Sequence, residues 1–481
     1  MKLHEWITID RNSQEPMYLQ VYEGIKNLIE NGTLKGDDKL PAIRSFAQKL
    51  DVNNVTIVNA YKLLEQKGYI YSKVGSGTFV RGSKTPTNEE GKAHVVHMIE
   101  QGYVKMGHNE VNFSTSTPNP KLFPVQEFKE VLNEVLDRDG GFAFGYQEAQ
   151  GYYPLRESIR DYLEENGIST KTENIHVISG AQQGIDIVSK ALIAFNDTII
   201  VESPTYTGAL AAFKSRGANI VEIPIREDGI DTKEVEEALK NLNVKLIYIM
   251  SSFQNPTGVS YSEDKKIQLL YLAEKYNTYL LEDDYLSELR FYGEKSMPIK
   301  SIDANNRVIY LKSFSKIFMP GIRLAFLVAP DLISNGILSA KHTSDISTSS
   351  LMQRAFDLYL RKKKWEHHID MMWGIYKERY DLLVRELKEK APFIEFNEPY
   401  GGIHIWAKTD IESSILSSIA KQKGVLIAPG RVFYFDDRQN NYFRISFAGT
   451  ELDEISQGVE LLRQAYLDFK NKNESSILPF M

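Results

Sequence analysis

The sequence predicts an α/β protein with a mostly parallel sheet between helices, preceded by a small helical unit that ends in a two-stranded wing. Three observations predict it. From about residue 175 onward, short apolar runs alternate with helix-sized segments, the signature of a parallel sheet covered on both faces. Residues 18–64 carry apolar positions at helical spacing only, and two β-like runs around a glycine-rich tip follow them. Between the two regions, Ser83, Thr85, Pro86, Thr87, Asn88, Glu89, Glu90 and Gly91 form a polar stretch without apolar periodicity, which is linker chemistry.

A chain of 481 residues, 42% hydrophobic and 25% charged, suits two or three globular domains. The boundaries expected are a first domain at 1–82, a linker at 83–110 and a large domain at 111–481. Several function classes drop out at once. Zero cysteines remove disulfides, thiolate nucleophiles and zinc–thiolate centres. The histidines show no metal spacing, so no metal is expected. The longest apolar stretches, Asn219 to Ile225 and Leu324 to Pro330, are strand-sized, far below the roughly 18 residues of a membrane span. Lys2, His4, Glu5 and Trp6 follow Met1 without an apolar signal region, and a cytoplasmic protein is expected. Net charge is −7, but residues 1–82 hold 11 Lys/Arg against 9 Asp/Glu, while the remainder holds 46 against 55. Only the amino-terminal piece leans basic, where attraction to phosphate would be local.

In that piece Tyr18, Tyr22, Ile25 and Ile29 step by 4, 3 and 4 along one face of a helix that Gly32 ends. Leu40-Pro41 opens a second helix, with Ile43, Phe46, Ala47 and Leu50 inward. Asp51, Val52 and Asn53 make a tight turn into a third, which buries Ile57, Ala60, Tyr61 and Leu64. Two short helices across such a turn have helix-turn-helix geometry. The runs 69–71 and 78–80, joined through Lys73-Val74-Gly75-Ser76-Gly77, make the wing. On a DNA reader, Asn53, Asn54, Thr56 and Asn59 would face base edges, with Arg44 and Lys73 on phosphates. A three-helix docking or oligomerisation module with a wet polar face fits the same spacing.

The segments Pro16-Met17-Tyr18-Leu19-Gln20-Val21, Lys39-Leu40-Pro41-Ala42-Ile43-Arg44, Gly68-Tyr69-Ile70 and Gly75-Ser76-Gly77-Thr78-Phe79-Val80 resemble the GntR family of bacterial regulators. The resemblance covers most of 14–80 and implies a winged helix-turn-helix that binds double-stranded operator DNA. The family usually has an arginine in the turn where this chain has Asn54.

In the large domain the candidate strands are 175–178, 198–201, 219–225, 246–250, 278–281, 308–311 and 324–328. Ligands of such sheets sit beyond the carboxyl ends of the strands, and the conspicuous polar clusters fall there. They are Ser179-Gly180-Ala181-Gln182 before a helix, Asn255-Pro256-Thr257-Gly258, Glu282-Asp283-Asp284-Tyr285, and Ser313-Phe314-Ser315-Lys316 with Arg323 beyond. Free amides and small residues at a helix start make an anion seat. A lysine, a carboxylate, an amide and an arginine converging there match what pyridoxal 5'-phosphate (PLP) demands: a Schiff-base amine, a partner for the pyridine nitrogen and a phosphate seat. The carboxylate is Asp283 or Asp284, a helix cap being the alternative for either.

From about Val111 to Phe469 the chain resembles the class I, fold-type I aminotransferases, most specifically at Ser313-Phe314-Ser315-Lys316 followed by Pro320-Gly321-Ile322-Arg323. The resemblance implies Lys316 as the Schiff-base lysine, Asp283 as pyridinium partner, Asn255 and Tyr285 at the ring hydroxyl, and Tyr206 stacked on the ring. It implies Ala181, Gln182, Ser313, Ser315 and Arg323 at the phosphate, Arg444 on a substrate or effector carboxylate, and Tyr146 reaching a partner subunit's phosphate. Such enzymes usually have a glycine where this chain has Ser116, which suggests an altered pocket.

Joined, the two halves resemble the MocR, or GabR-like, branch of GntR regulators. That implies a homodimer, with the head of one chain on the large domain of the other, in which PLP on Lys316 senses an amine or amino-acid effector by exchange of its imine. Two alternatives stand beside it: a working aminotransferase with an accessory DNA-binding piece, and a regulator of PLP supply that senses PLP itself.

Overall fold

The structure, a computed structural model, describes residues 7, 9, 16–30, 33–34, 38–66, 69–73, 77–80, 110–436 and 438–477, through the backbone alone at 30, 66, 72–73 and 472–477. The expected linker up to residue 109, the helical pattern of Val95, Met98 and Ile99, the wing tip 74–76 and the side chain of Lys73 lie outside the described residues. The chain divides into two compact units, Met1–Gly91 and Lys92–Met481.

The first unit holds α1 (Met17–Glu30), α2 (Ile43–Lys49), α3 (Asn54–Gln66) and an antiparallel hairpin of β1 (Ile70–Lys73) and β2 (Gly77–Val80). Its core is Val21, Ile25, Phe46, Ile57, Ala60, Leu64 and Ile70, all fully buried. Each large apolar side chain among them contributes roughly 1.5–3 kcal/mol by leaving water. Tyr18 and Ile29 are only half-buried, so the inner stripe of α1 centres on Val21 and Ile25 and is broader than the spacing suggested.

Leu40-Pro41 does not open α2. Leu40 donates its N–H to the Thr78 carbonyl and Val80 donates to the Asp38 carbonyl, each at 2.8 Å, so residues 38–40 extend the wing. Ala42, extended at φ −63° and ψ 139°, is the residue from which the helix starts. Pro41 instead offers its carbonyl to the Tyr61 hydroxyl at 2.9 Å, which ties the approach to α2 onto α3.

In the second unit β3 (Val111–Asn112) pairs with β14 (Val425–Leu426). The large sheet runs in the order β4 (Ile175–Ile178), β11 (Ala325–Val328), β10 (Val308–Ser313), β9 (Tyr279–Asp284), β8 (Val244–Ile249), β5 (Thr198–Ser203), β6 (Asn219–Arg226) and β7 (Gly229–Ile230). All the candidate strands are present. Only β11 and the short β7 run against the rest. Every residue of β4, β10 and β11 is buried, as strands covered on both faces must be. The carboxyl ends of β4, β5, β8, β9 and β10 therefore share one edge with the amino end of β11. That shared edge gathers clusters lying far apart in sequence.

A second, antiparallel sheet has the order β12 (Glu395–Phe396), β13 (His404–Lys408), β16 (Tyr442–Ser446) and β15 (Ala428–Pro429). Thr205, just past β5, donates its N–H to the Phe433 carbonyl at 2.9 Å, binding this sheet's loops to the edge of the large one. No described helix is long and apolar enough to cross a membrane.

Candidate functional site

Lys316 leaves β10 on a turn whose neighbours are anchored in the core. Phe314 packs against Phe356 at 4.7 Å and Trp365 at 5.1 Å between ring centres. The Ile317 carbonyl lies 2.8 Å from Nε2 of the buried His368. Lys316 itself is half-buried, and no hydrogen bond or ion pair engages it among the described residues. Burial, then the positive charges of Arg444 and Arg323, push its ammonium down to about 8. A lysine left unpaired beside two cations is poised to be a free amine.

The acidic pair on β9 separates cleanly. Asp284 Oδ2 accepts from the Tyr310 and Ser287 hydroxyls, both at 2.6 Å, and its Oδ1 accepts from Lys312 at 3.2 Å. Burial opposes its charge, but Lys312 and those hydroxyls hold the carboxyl below its usual range. Asp283 is different. Its Oδ2 accepts the Tyr248 hydroxyl at 2.7 Å, while Oδ1 is buried without any partner. Burial pushes its pKa up to about 7, with the Tyr248 hydrogen bond pulling the other way. An orphaned carboxylate oxygen at a strand end suits a protonated ring nitrogen. Asp283, rather than Asp284, keeps a buried oxygen that a protonated ring nitrogen could meet.

The anion seat forms around Gly180. It stands at φ +94° and ψ 162°, a region glycine alone adopts readily, and precedes the helix Ala181–Leu192. Arg323, itself left-handed at φ +53°, lays its guanidinium over this glycine and donates Nη2 to the Ser179 carbonyl at 2.8 Å. A Cβ on Gly180 would come within 2.6 Å of that Nη2. Arg323 reaches the shared edge because it stands two residues before Ala325, where the antiparallel β11 begins. Ser313 accepts the Ser315 N–H at 3.3 Å, and Tyr206 donates its hydroxyl to Gln182 at 3.2 Å. A helix start, an arginine and hydroxyls thus lie along one edge of the sheet, the kinds of group a phosphate would need.

Opposite stands Arg444 on β16. It donates Nη1 to Asn255 Oδ1 at 2.6 Å and Nη2 to the Ser114 carbonyl at 2.7 Å, while its Nε is buried without a partner. Burial lowers its guanidinium to about 10. Tyr285 donates its hydroxyl to the Phe253 carbonyl and stacks on His404, ring centres 6.3 Å apart. Ser116 lies in the same segment as Ser114, with a buried, unpaired hydroxyl oxygen.

The structure brings Lys316, Asp283, Asn255, Tyr285, Arg323 and Arg444 to one edge of the sheet. Tyr146 is not among them: it is 82% exposed on the loop after residues 140–144. In the head, Arg44, Asn54 and Asn59 are exposed and Thr56 is half-buried. Asn53 has a local engagement, accepting the Val55 N–H at 3.0 Å as a cap of α3. Sequence reasoning missed two residues of the site, Tyr248 and His404. Neither carried a signal that set it apart in the sequence: Tyr248 sits among the aliphatic residues of β8, and His404 is one histidine among nine.

Residues 103–462 match the family of class I and II aminotransferases, and residues 17–80 match the gntR family of bacterial regulatory proteins. The chain is 32% identical over 363 residues to aromatic-amino-acid aminotransferase 1 of Thermococcus litoralis, covering 74% of this chain and 87% of that one. It is 27% identical over 477 residues to the probable rhizopine catabolism regulatory protein MocR of Rhizobium meliloti, covering 96% of each. The crystal structure of Pyrococcus horikoshii kynurenine aminotransferase superposes with a TM-score of 0.73 at 32% identity, over 78% of this chain and 94% of that one.

Proposed function

Because the chain belongs to the class I and II aminotransferase family, whose cofactor is PLP, and joins that domain to a GntR-type head, we propose that it is a DNA-binding transcription regulator whose large domain senses an amine or amino acid. The single observation that carries the reading is the unpartnered Asp283 Oδ1 facing the same edge as the unengaged Lys316, in a chain similar to a MocR regulator over nearly its whole length. Bound there, PLP supplies an aldehyde that condenses reversibly with amines and a ring that withdraws electrons from the new bond.

The chain's own groups do the rest. Lys316 supplies the amine, which gives up its proton far more readily than an ordinary lysine because burial, Arg444 and Arg323 disfavour its charge. Asp283, oriented by Tyr248, would hold a proton on the ring nitrogen. Arg323, Ser313, Ser315 and the amides of Ala181 and Gln182 would hold the phosphate, Asn255 and Tyr285 would hold the ring hydroxyl, and Tyr206 would pack on the ring. Arg444, with three of its five N–H groups still free, takes an effector carboxylate. An effector amine would compete with the Lys316 amine for the bound cofactor, and its arrival would bias the large domain between two arrangements that differ in DNA affinity. In the head, Arg44 and Lys73 hold phosphates, while Asn53, Asn54, Thr56 and Asn59 lie toward base edges. Exposure of Phe142, Phe144 and Tyr146 at 82%, 69% and 82% supports a homodimer in which this loop meets the partner.

The test is to select DNA from a random library with PLP-loaded protein, then add amino acids and amines singly. Release or tightening of the selected DNA by some of them, and not by others, is expected. A second reading, catalytic transamination, is favoured by the completeness of the lysine site. Many-cycle conversion of amino acid and keto acid, without any effect on DNA affinity, would establish it instead. PLP that changes DNA affinity unaided would mark PLP itself as the signal.

A further inference from the structure

His404 opens β13 and is 2% exposed, yet neither of its ring nitrogens has a hydrogen-bond partner. Burying an imidazole this way is costly unless something else completes it. The register pairs His404 with Ser446 and Trp406 with Arg444, which puts His404 and Arg444 on one sheet face as diagonal neighbours. Diagonal side chains of this length reach a common ligand. The His404 ring is stacked on Tyr285 with an interplanar angle of 24°. The charged groups that act on it are Arg444 and Lys316, both cationic; with burial as the largest cause, they hold the imidazole well below its ordinary pKa. The Ile403 carbonyl pulls weakly the other way without meeting hydrogen-bond geometry. His404 is therefore neutral, one nitrogen a donor and the other an acceptor. Arg444 Nε, on the same sheet face, is likewise a buried donor without a partner.

We infer that His404 is a specificity-determining residue that donates to one oxygen of an effector carboxylate while Arg444 holds the other, so that the site selects amino acids over simple amines. This inference rests on the proposed PLP site at Lys316 and deepens it. The ligand class is an amine that also bears a carboxylate.

The test uses full-length protein loaded with PLP and two probes that differ by one carboxylate, L-leucine and 3-methylbutylamine. Each is titrated while the visible absorbance of lysine-bound PLP is followed. Parent protein responds to L-leucine at lower concentration. His404→Phe keeps ring shape and stacking, and should weaken L-leucine about tenfold, the effect of one lost charge-assisted hydrogen bond, while the amine changes less than twofold. His404→Asn restores a donor and should recover part of the loss. Equal weakening of both probes in His404→Phe, or none, overturns the inference. So does a parent that shows the absorbance but treats acid and amine alike. Failure of the underlying reading looks different: parent protein itself never acquires the absorbance.

Discussion

Tyr248 donates its hydroxyl to one oxygen of Asp283 at 2.7 Å, and the second oxygen of that carboxylate stays buried and bare. The hydroxyl fixes which oxygen is offered outward. Tyr248→Phe keeps the ring packed on Phe213, whose centre is 5.7 Å away, and removes only the donor. PLP affinity should fall about tenfold, the usual effect of one hydrogen bond to a charged group. Equilibrium dialysis checks this, and unchanged affinity would show that Asp283 is positioned by other means.

Lys316→Ala should leave the fold intact and abolish the absorbance of covalently held PLP. A band that survives in the mutant after dialysis refutes the assignment. In the parent, the free amine governs uptake, and its pKa lies near 8 rather than at the ordinary lysine value. The rate of PLP attachment should therefore climb through pH 7–8 and level off above it. Stopped-flow absorbance across pH reads this, and a rise that begins only near pH 10 would contradict it.

Buried carboxyls set a pH dependence of stability. Glu202 accepts from Tyr261 at 2.7 Å and Gln254 at 3.1 Å, yet burial still raises it to about 8, and Asp283 rises to about 7. Both pKa values are higher folded than unfolded, so the folded chain binds the protons more tightly. Stability is present at low pH and is lost as pH climbs toward 8. The PLP-free protein should melt lower at pH 9 than at pH 6, and Glu202→Gln should flatten that difference. Calorimetry at both pH values decides it.

Gly180→Ala combines a forbidden backbone angle with a Cβ placed 2.6 Å from Arg323 Nη2. A side chain in this region costs about 1–3 kcal/mol. Lower thermal stability and weakened PLP binding should appear together, and displacing Arg323 should make the affinity loss depend on the phosphate. Comparing PLP with pyridoxal isolates that share.

Arg44→Ala, at an exposed position on α2, should weaken DNA binding and lower the log–log salt slope by about 1. Identical slopes for mutant and parent would remove Arg44 from the interface.

Much of the large domain was legible because strands buried on both faces are written as uninterrupted apolar runs, and polar residues at their ends then stand out. Lys316, the Asp283-Asp284 pair and Arg323 stand out that way. The choice between Asp283 and Asp284 was open in the sequence, since both adjoin the same strand end; only the partners of each oxygen separate them. Tyr248 and His404 were hidden because a tyrosine or histidine beside the aliphatic residues of a strand reads as core. The start of α2 was misread for another reason. Proline suits a first helical turn, but Leu40 also had a hydrogen-bonding partner in Thr78, 38 residues away, which local spacing cannot register.

Lys316 hangs from one sheet and Arg444 from the other, with the Thr205–Phe433 hydrogen bond as a nearby stitch. A molecule whose amine takes the place of Lys316 and whose carboxylate Arg444 holds would be a strut of fixed span across that seam. One methylene more between its amine and its carboxylate would have to buckle it or press on the seam, so that separation is the dimension the two sheets would gauge.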